Sequence, residues 1–140
     1  MAIDSATFRS VLGRFVSGVT IVTARDAEGV DHGMTASAFC SVSLDPPLIL
    51  VSIAHDATLH PVLMERDELV VSILTESQEA IARRFAEKLD DRFEGVGFTR
   101  GTITGAPIID GALGVIEGRV VHRYSGGDHT IFVAEVLAAS

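Results

Sequence analysis

The chain has 140 residues, 47% of them hydrophobic and 21% charged, which is a globular composition that predicts one domain spanning residues 1–140. Its 19 acidic and 11 basic residues give a net charge of -8, which disfavours nucleic acid or an anionic membrane as the main partner. The single cysteine excludes an internal disulfide and favours the reducing cytoplasm. Apolar runs are far shorter than the roughly 20 residues that cross a bilayer.

The first 30 residues predict a helix followed by a strand and a turn. Asp4 or Ser5 can cap the helix, and we expect the segment to end at Gly18. Helical spacing places four apolar residues on one stripe: Phe8, Val11, Leu12 and Phe15. We expect this stripe to dock on the body of the domain. Residues 19–24 are rich in β-branched side chains and predict a strand, and residues 26–29 predict a turn into a second strand.

The stretch Gly33–Pro47 combines one Thr, three Ser and a Cys with small and apolar residues, and it contains no Lys, Arg or Glu. Its β-branched and aromatic residues favour extended backbone, and its two final prolines require a turn or a sheet edge. We expect a strand that kinks and re-enters the sheet. It is either a wall against which a flat ligand lies or a hydroxyl-rich edge strand facing water. Cys40 is expected to be a small buried residue.

Two more strands and a short helix follow. Residues 48–53 predict an apolar strand that is buried on both faces or closes a barrel. Residues 56–58 are a capping signal for a helix over residues 59–65, in which Pro61 suits the first turn. Residues 69–74 predict the next strand.

The second half of the chain predicts a helix, a long loop and a hairpin. Ser77 is expected to cap the helix, and residues 89–105 are expected to form a loop. Strands over residues 115–124 and 129–137 flank a glycine-rich turn and predict a hairpin. Strands outnumber helices and most connections are short. The sequence therefore predicts a mainly β protein, an antiparallel closed or nearly closed barrel with helices over its ends.

Several common catalytic motifs are absent from the sequence. It has no Gly-x-Ser-x-Gly, no P-loop and no Gly-x-Gly-x-x-Gly after a strand. The five histidines have no spacing typical of a metal site, so we expect no metal: His32, His55, His60, His122 and His129. His129 stands out because it follows Gly126-Gly127-Asp128, where Asp128 can hold one tautomer of the ring. The alternative is a hairpin residue that only begins a strand.

Basic residues gather on and after the predicted third helix. Four of them lie within ten positions: Arg83, Arg84, Lys88 and Arg92. On an acidic protein such a cluster can hold a phosphate, or it can simply pair with Glu79 and Glu87 at helical spacing. Thr58, at the start of the predicted second helix, offers a second anion site.

Four motifs in this order resemble the flavin reductase family with the FMN-binding split-barrel fold. They lie at residues 8–23, Gly33–Pro47, 85–93 and 127–136, so the resemblance covers nearly the whole chain. It implies an antiparallel split β-barrel with flanking helices. It also implies a homodimer that binds FMN or FAD, takes a hydride from NADH or NADPH, and serves a partner flavin-dependent monooxygenase. Family members usually continue past the last strand, whereas this sequence stops at Ser140.

The same resemblance assigns the site residues. Those implied to line the flavin ring are Thr35, Ala36, Ser37 and Ala38, continued by Ser41 and Val42. Those implied to approach the ribityl chain and phosphate are Ser52, Thr58, Phe85 and Lys88. Asp128 and His129 are implied to lie by the nicotinamide, with His129 as the catalytic residue.

Two other functions remain open on the sequence. One is a flavin-binding split barrel that carries electrons without efficient turnover, and the other is a related barrel that binds haem. The Gly127-Asp128-His129 motif favours the reductase because it resembles the pyridine-nucleotide end of the family's site. Hydride transfer between cofactors needs no protein nucleophile, which agrees with the absence of catalytic motifs.

Overall fold

The fold is built on a seven-stranded antiparallel sheet, seen in a computed structural model that describes residues 2–15 and 17–140. In chain order the helices are α1 (Ser5–Leu12), α2 (Leu59–Glu65) and α3 (Glu79–Arg84). The strands are β1 (Thr20–Arg25), β2 (Asp31–Ala36), β3 (Phe39–Leu44), β4 (Pro47–Ala54), β5 (Glu68–Ile73), β6 (Phe98–Arg100), β7 (Pro107–Ile109), β8 (Gly114–Gly126) and β9 (His129–Ala139).

The large sheet runs in the order β2-β1-β5-β8-β9-β4-β3 and curls around one apolar core. This confirms the prediction of a mainly β, antiparallel split barrel. Core side chains come from alternate positions of the strands, as with Ile49, Val51 and Ile53 of β4. Of the two alternatives predicted for β4, burial on both faces is wrong. Its other face, which includes Ser52 and Ala54, is only partly buried.

The predicted kink lies at Ser37-Ala38, where β2 ends and β3 begins. These two strands are the opposite edges of the sheet order, so this link joins both ends of the sheet. The Ser52 amide donates to the Ala38 carbonyl at 3.0 Å and fixes the re-entry. The strand does kink and re-enter, and β3 becomes an exposed edge strand paired only with β4 in this sheet among the described residues.

Helix α1 begins as predicted but ends earlier and packs differently. The Asp4 carboxylate accepts a hydrogen bond from the Thr7 amide, which caps the helix. The Gly13 amide donates to the Arg9 carbonyl at 2.9 Å, so Gly13 and not Gly18 follows the last helical residue. The expected docking of the stripe is wrong, because no residue of α1 is buried. The spacing predicts an apolar stripe, and it does not specify what covers that stripe.

Two predicted caps and one predicted loop need correction. The Thr58 side chain makes no capping bond to α2, because its own backbone is already helical. Thr75 and Gln78 form the capping box ahead of α3, so Thr75 replaces Ser77 in that role. The segment 89–105 contains β6, which pairs with β7 in a second, two-stranded sheet. Three-residue strands carry too few alternating positions for the pattern to be recognised.

The β8–β9 hairpin is confirmed and is longer than predicted. Register pairs run from Ile116 opposite Ala139 to Gly126 opposite His129. Gly127 has a φ of 70°, the left-handed conformation that a tight turn requires and that glycine adopts without strain. Residues 126–129 are called the tip below.

Candidate functional site

A cleft of about 700 Å³ opens beside the β2 edge of the barrel. Three segments enclose it: β2, the connection from β4 to α2, and the loop after α3, residues 85–93, called the Lys88 loop below. The floor is largely apolar and the rim is polar and charged. The lining residues are Met34, Thr35, Ala54, Asp56, Ala57, Thr58, Phe85, Ala86, Lys88, Leu89, Asp90 and Arg92.

Thr35 ties the β2 wall of the cleft to the end of α3. Its hydroxyl donates to the Ala82 carbonyl at 2.5 Å, and its amide donates to the Phe85 carbonyl at 3.3 Å. Both hydrogen-bond donors of Thr35 are therefore engaged within the chain. Their role is to fix the distance between β2 and α3, which sets the width of the cleft.

Phe85 supports the β2 wall of the cleft from the buried side. Its side chain is fully buried and meets the Phe93 ring edge-on, with the ring centroids 5.0 Å apart. Gly33 of β2 faces this pair, and a Cβ there would lie 2.9 Å from a Phe85 ring carbon. The glycine lets the aromatic pair pack directly against the β2 backbone. Phe85 thus borders the cleft while its ring belongs to a second, smaller apolar cluster, formed with Ile21, Leu74 and Ile109.

The Lys88 loop is held by two arginines that donate to backbone carbonyls. Arg84 donates to the carbonyls of Asp91 and Arg92 at 2.8 and 2.7 Å. Arg92 donates to the carbonyls of Glu87 and Gly33 at 2.8 and 2.7 Å. Burial lowers the pKa of the Arg92 guanidinium, which stays charged because the ordinary pKa of arginine is so high.

The predicted four-residue phosphate cluster is not formed as a unit. Arg83 pairs with Glu79 at 2.6 Å on the surface, as the helical-spacing alternative predicts. The expected pairing with the Glu87 carboxylate is absent within the described chain, where the Glu87 carbonyl instead accepts from Arg92. Lys88 is exposed on the cleft and, among the described residues, forms no ion pair. Thr58 also lines the cleft, close to Asp56 and Ala57 in the chain.

The remaining flavin-ring residues lie outside the cleft lining. Ala36 is 6% exposed and packs in the main core. Four of these residues lie at or after the kink and are exposed: Ser37, Ala38, Ser41 and Val42. Ser52 is on the partly buried face of β4, the strand that lies between β3 and β9 in the sheet. Nothing in this geometry tests their contacts with a ligand, so these assignments stay predictions.

Cys40 is exposed, so the prediction of a small buried residue is wrong. It is paired with Leu50, which lies on the partly buried face of β4 rather than on the core face. Alternation along β3 therefore directs Cys40 away from the main core.

The tip brings Asp128 and His129 to the margin of the cleft. His129 is the register partner of Ala54, which lines the cleft. The ring nitrogen Nδ1 of His129 lies 2.7 Å from Asp128 Oδ1, as predicted for this pair. That hydrogen bond is the main reason that the pKa of Asp128 lies below its ordinary value. The His55 amide donates to the Asp128 carbonyl at 2.9 Å and fastens the turn to the end of β4.

His60 is a residue that the sequence did not single out. Its Nε2 lies 2.8 Å from Thr130 Oγ1, and its ring meets the ring of His55 edge-on at 5.1 Å. Burial, followed by the nearby His55, lowers the pKa of His60. A histidine early in a short helix carries no sequence signal for a partner 70 residues away.

Residues 2–15 and 17–140 contain no group of three His, Cys, Asp or Glu side chains arranged to hold a metal ion. In that same part of the chain, each helix is too short or too polar to span a membrane.

Comparison with known proteins identifies the family. A model of the flavin reductase like domain matches residues 12–140. The actinorhodin polyketide dimerase of Streptomyces coelicolor is 46% identical over 136 residues, covering 97% of this chain and 76% of that protein. The reductase component of 4-hydroxyphenylacetate 3-monooxygenase from Thermus thermophilus is 42% identical over 129 residues, covering 92% of this chain and 80% of that protein.

A solved structure agrees in fold over nearly the full length. The NADH:FAD oxidoreductase of Streptomyces globisporus C-1027, in complex with NAD and FAD fragments, superposes with a TM-score of 0.94 at 42% identity. The match covers 98% of this chain and 82% of that chain. The predicted resemblance is confirmed, and the chain belongs to the flavin reductase family.

Proposed function

We propose that this protein is an NADH-dependent flavin reductase that supplies reduced FMN or FAD to a partner monooxygenase. The observation that carries the proposal is one cleft bordered by two kinds of group. The Lys88 loop supplies a cation at one part of the rim, and the tip supplies an imidazole beside Ala54 at another. The similar solved structure, an NADH:FAD oxidoreductase, supports the same pairing of cofactors.

The residues that line the cleft fit a flavin. Met34, Ala54 and Ala57 provide an apolar surface for a flat ring system, and the volume is in the range of small-molecule sites. Thr58 and Lys88 provide a hydroxyl and a cation for the ribityl phosphate. Thr35, Ser37 and their neighbours are the proposed ring-side residues, since Thr35 of β2 lines this opening and the kink follows β2 directly in the chain.

A bound flavin accepts a hydride at its N5 atom from the nicotinamide, so the chain has to position and shield two cofactors. Asp128 engages Nδ1 of His129, which leaves Nε2 of the same ring to orient the nicotinamide or to stabilise negative charge near it. The similar Streptomyces globisporus oxidoreductase was solved with NAD fragments and is NADH-dependent, which supports NADH as the donor.

His129→Ala tests the proposed catalytic role. Loss of a charged or polar contact to the reacting pair is expected to lower kcat/KM for NADH by about 10- to 100-fold, with the flavin Kd nearly unchanged. Stopped-flow flavin reduction and flavin fluorescence titration measure the two quantities. His122→Ala is the matched control, since His122 is an exposed histidine on β8 outside the tip. Wild-type protein that binds flavin but oxidises neither NADH nor NADPH would instead identify a carrier without turnover.

The proposed assembly is a homodimer. Phe8 and Phe15 of the α1 segment are 52% and 80% exposed, and Leu44 of β3 is 92% exposed. Apolar side chains at this exposure favour cover by another surface, and a second copy supplies it. Phe8→Glu is expected to shift the sedimenting species from dimer to monomer, while Ser10→Glu on the polar side of α1 adds the same charge and leaves it unchanged. A wild-type monomer at micromolar concentration would contradict this proposal.

The cytoplasm is the proposed compartment, because the lone cysteine and the supply of NADH both favour a reducing environment. We also propose residues 1–140 as one domain, in line with the family match over residues 12–140. The net charge of -8 supports a protein partner rather than nucleic acid.

A further inference from the structure

Helix α2 is fastened to the β8–β9 hairpin at both of its ends. At its C-terminal end, the Arg123 guanidinium donates to the carbonyls of Leu63 and Arg66 at 2.9 and 3.1 Å. At its N-terminal end, His60 Nε2 is hydrogen-bonded to Thr130 Oγ1 at 2.8 Å. The helix therefore braces the half of the hairpin that carries the tip.

The brace and the cleft lie on opposite faces of β9. Thr130 is 7% exposed and is the register partner of Ile53, which is in the core. His129 is the partner of Ala54, which lines the cleft. Because successive side chains of a strand point to opposite faces, a bond to Thr130 fixes the backbone of His129 without entering the cleft.

His60 is itself held in place by its surroundings. Its ring meets His55 edge-on at 5.1 Å and Phe132 at 5.9 Å. His55 also donates its amide to the Asp128 carbonyl at 2.9 Å. The backbone on both sides of His129 is thus tied to the segment that contains His55 and His60.

We propose that His60 is a positioning residue for the nicotinamide end of the site, acting through Thr130 on the backbone of His129. The inference rests on the proposed function, because it assigns His129 to the hydride donor. It separates the two cofactors: loss of the His60–Thr130 bond loosens the tip and leaves β2 and the Lys88 loop, two of the three segments around the flavin cleft, as they are. It also identifies a half-buried residue that tunes the reaction without contacting either cofactor.

The first experiment compares His60→Leu with His60→Gln and with Val62→Ala. Leucine removes the hydrogen bond, glutamine keeps a polar group near the position of Nε2, and Val62→Ala loosens α2 without altering that bond. We expect His60→Leu to lower kcat/KM for NADH about five- to tenfold with the flavin Kd within about twofold of wild type. Glutamine is expected to restore most of the loss, and Val62→Ala to lower the Tm without changing kcat/KM.

The second experiment asks whether His60 acts through His129. In the His129→Ala background, His60→Leu is expected to cause no further loss in kcat/KM, since the group that it positions is gone. An equal loss in both backgrounds, or the same loss in Val62→Ala, would overturn the proposal.

Hydrogen exchange separates this inference from the proposed function. Amides of residues 125–131 are expected to exchange faster in His60→Leu than in Val62→Ala, whether or not the protein oxidises NADH. Unchanged exchange at these amides would refute the positioning role even in an active enzyme. Faster exchange in a protein that never oxidises NADH would support the brace and refute the assigned reaction.

Discussion

The two sides of the cleft are held by different kinds of interaction. On the proposed flavin side, a fully buried Phe85 and the paired bonds of Thr35 fix β2 against α3. On the proposed donor side, the exposed Asp128 and the half-buried His129 are positioned by a few hydrogen bonds around a glycine turn. Packing free energies exceed those of single hydrogen bonds, so the flavin side is the stiffer one. A well-packed wall on one side and a hydrogen-bonded turn on the other mean that substitutions on the two sides should have different effects on stability.

The largest expected effect comes from truncating Phe85, the buried side chain that supports the β2 wall of the cleft. Phe85→Ala deletes a fully buried ring and is expected to lower the free energy of unfolding by about 3–5 kcal/mol, with loss of flavin affinity. Urea denaturation and flavin titration measure both effects. Leu113→Ala removes an exposed leucine and serves as the control, with an expected change within about 0.5 kcal/mol. A small effect of Phe85→Ala would mean that the two sides do not differ in stiffness.

Thr35→Val tests the bond that sets the cleft width. The substitution keeps the shape of the side chain and removes the hydroxyl that donates to the Ala82 carbonyl. We expect a loss of about 1 kcal/mol in the free energy of unfolding, because a partly buried carbonyl loses its hydrogen-bond partner. Flavin affinity should fall in parallel, and Thr35→Ser should retain it. Full affinity in the valine variant would show that this bond does not control the cleft.

Lys88→Ala tests the cation on the rim. The proposed phosphate contact predicts weaker binding of FMN by about three- to tenfold, with riboflavin binding unchanged. Thermal stability should not move, since Lys88 is exposed. Arg83→Ala is the matched control because Arg83 pairs with Glu79 on the surface. An equal loss for riboflavin and FMN would remove Lys88 from the phosphate site.

The smallest expected effect is a pH dependence of the free energy of unfolding that comes from His60. Burial lowers the pKa of His60 below its unfolded value, so the folded state disfavours the protonated ring. The contribution of His60 to the free energy of unfolding is therefore constant above its unfolded pKa of about 6.5. It falls as the pH drops from there toward the lower pKa of the folded state. Denaturation of wild type and His60→Gln between pH 5 and 8 measures the difference, and parallel curves would contradict the expectation.

The sequence predicted the parts of the fold that depend on local pattern. Apolar and β-branched runs located β1, β4, β5 and the last hairpin, and the family motifs identified the barrel. Long-range partners could not be read in the same way. The four basic residues look alike in the sequence, and only the fold separates Arg84 and Arg92, which donate to backbone carbonyls, from Lys88, which is exposed on the cleft. His60 was missed for the same reason, because its partner Thr130 lies 70 positions away.

The two-residue link at Ser37-Ala38 has a mechanical consequence. Ala36 ends β2 and Phe39 begins β3, so the two edges of the sheet are three peptide steps apart there and cannot separate by more than about 11 Å. If the gap between β2 and β3 widens, the two strands therefore rotate apart about this link. The largest displacement is then at their far ends, near Asp31 and Leu44. Thr35 lies next to the pivot. The β2 wall of the cleft, which Thr35 anchors, is therefore displaced least when β2 and β3 separate.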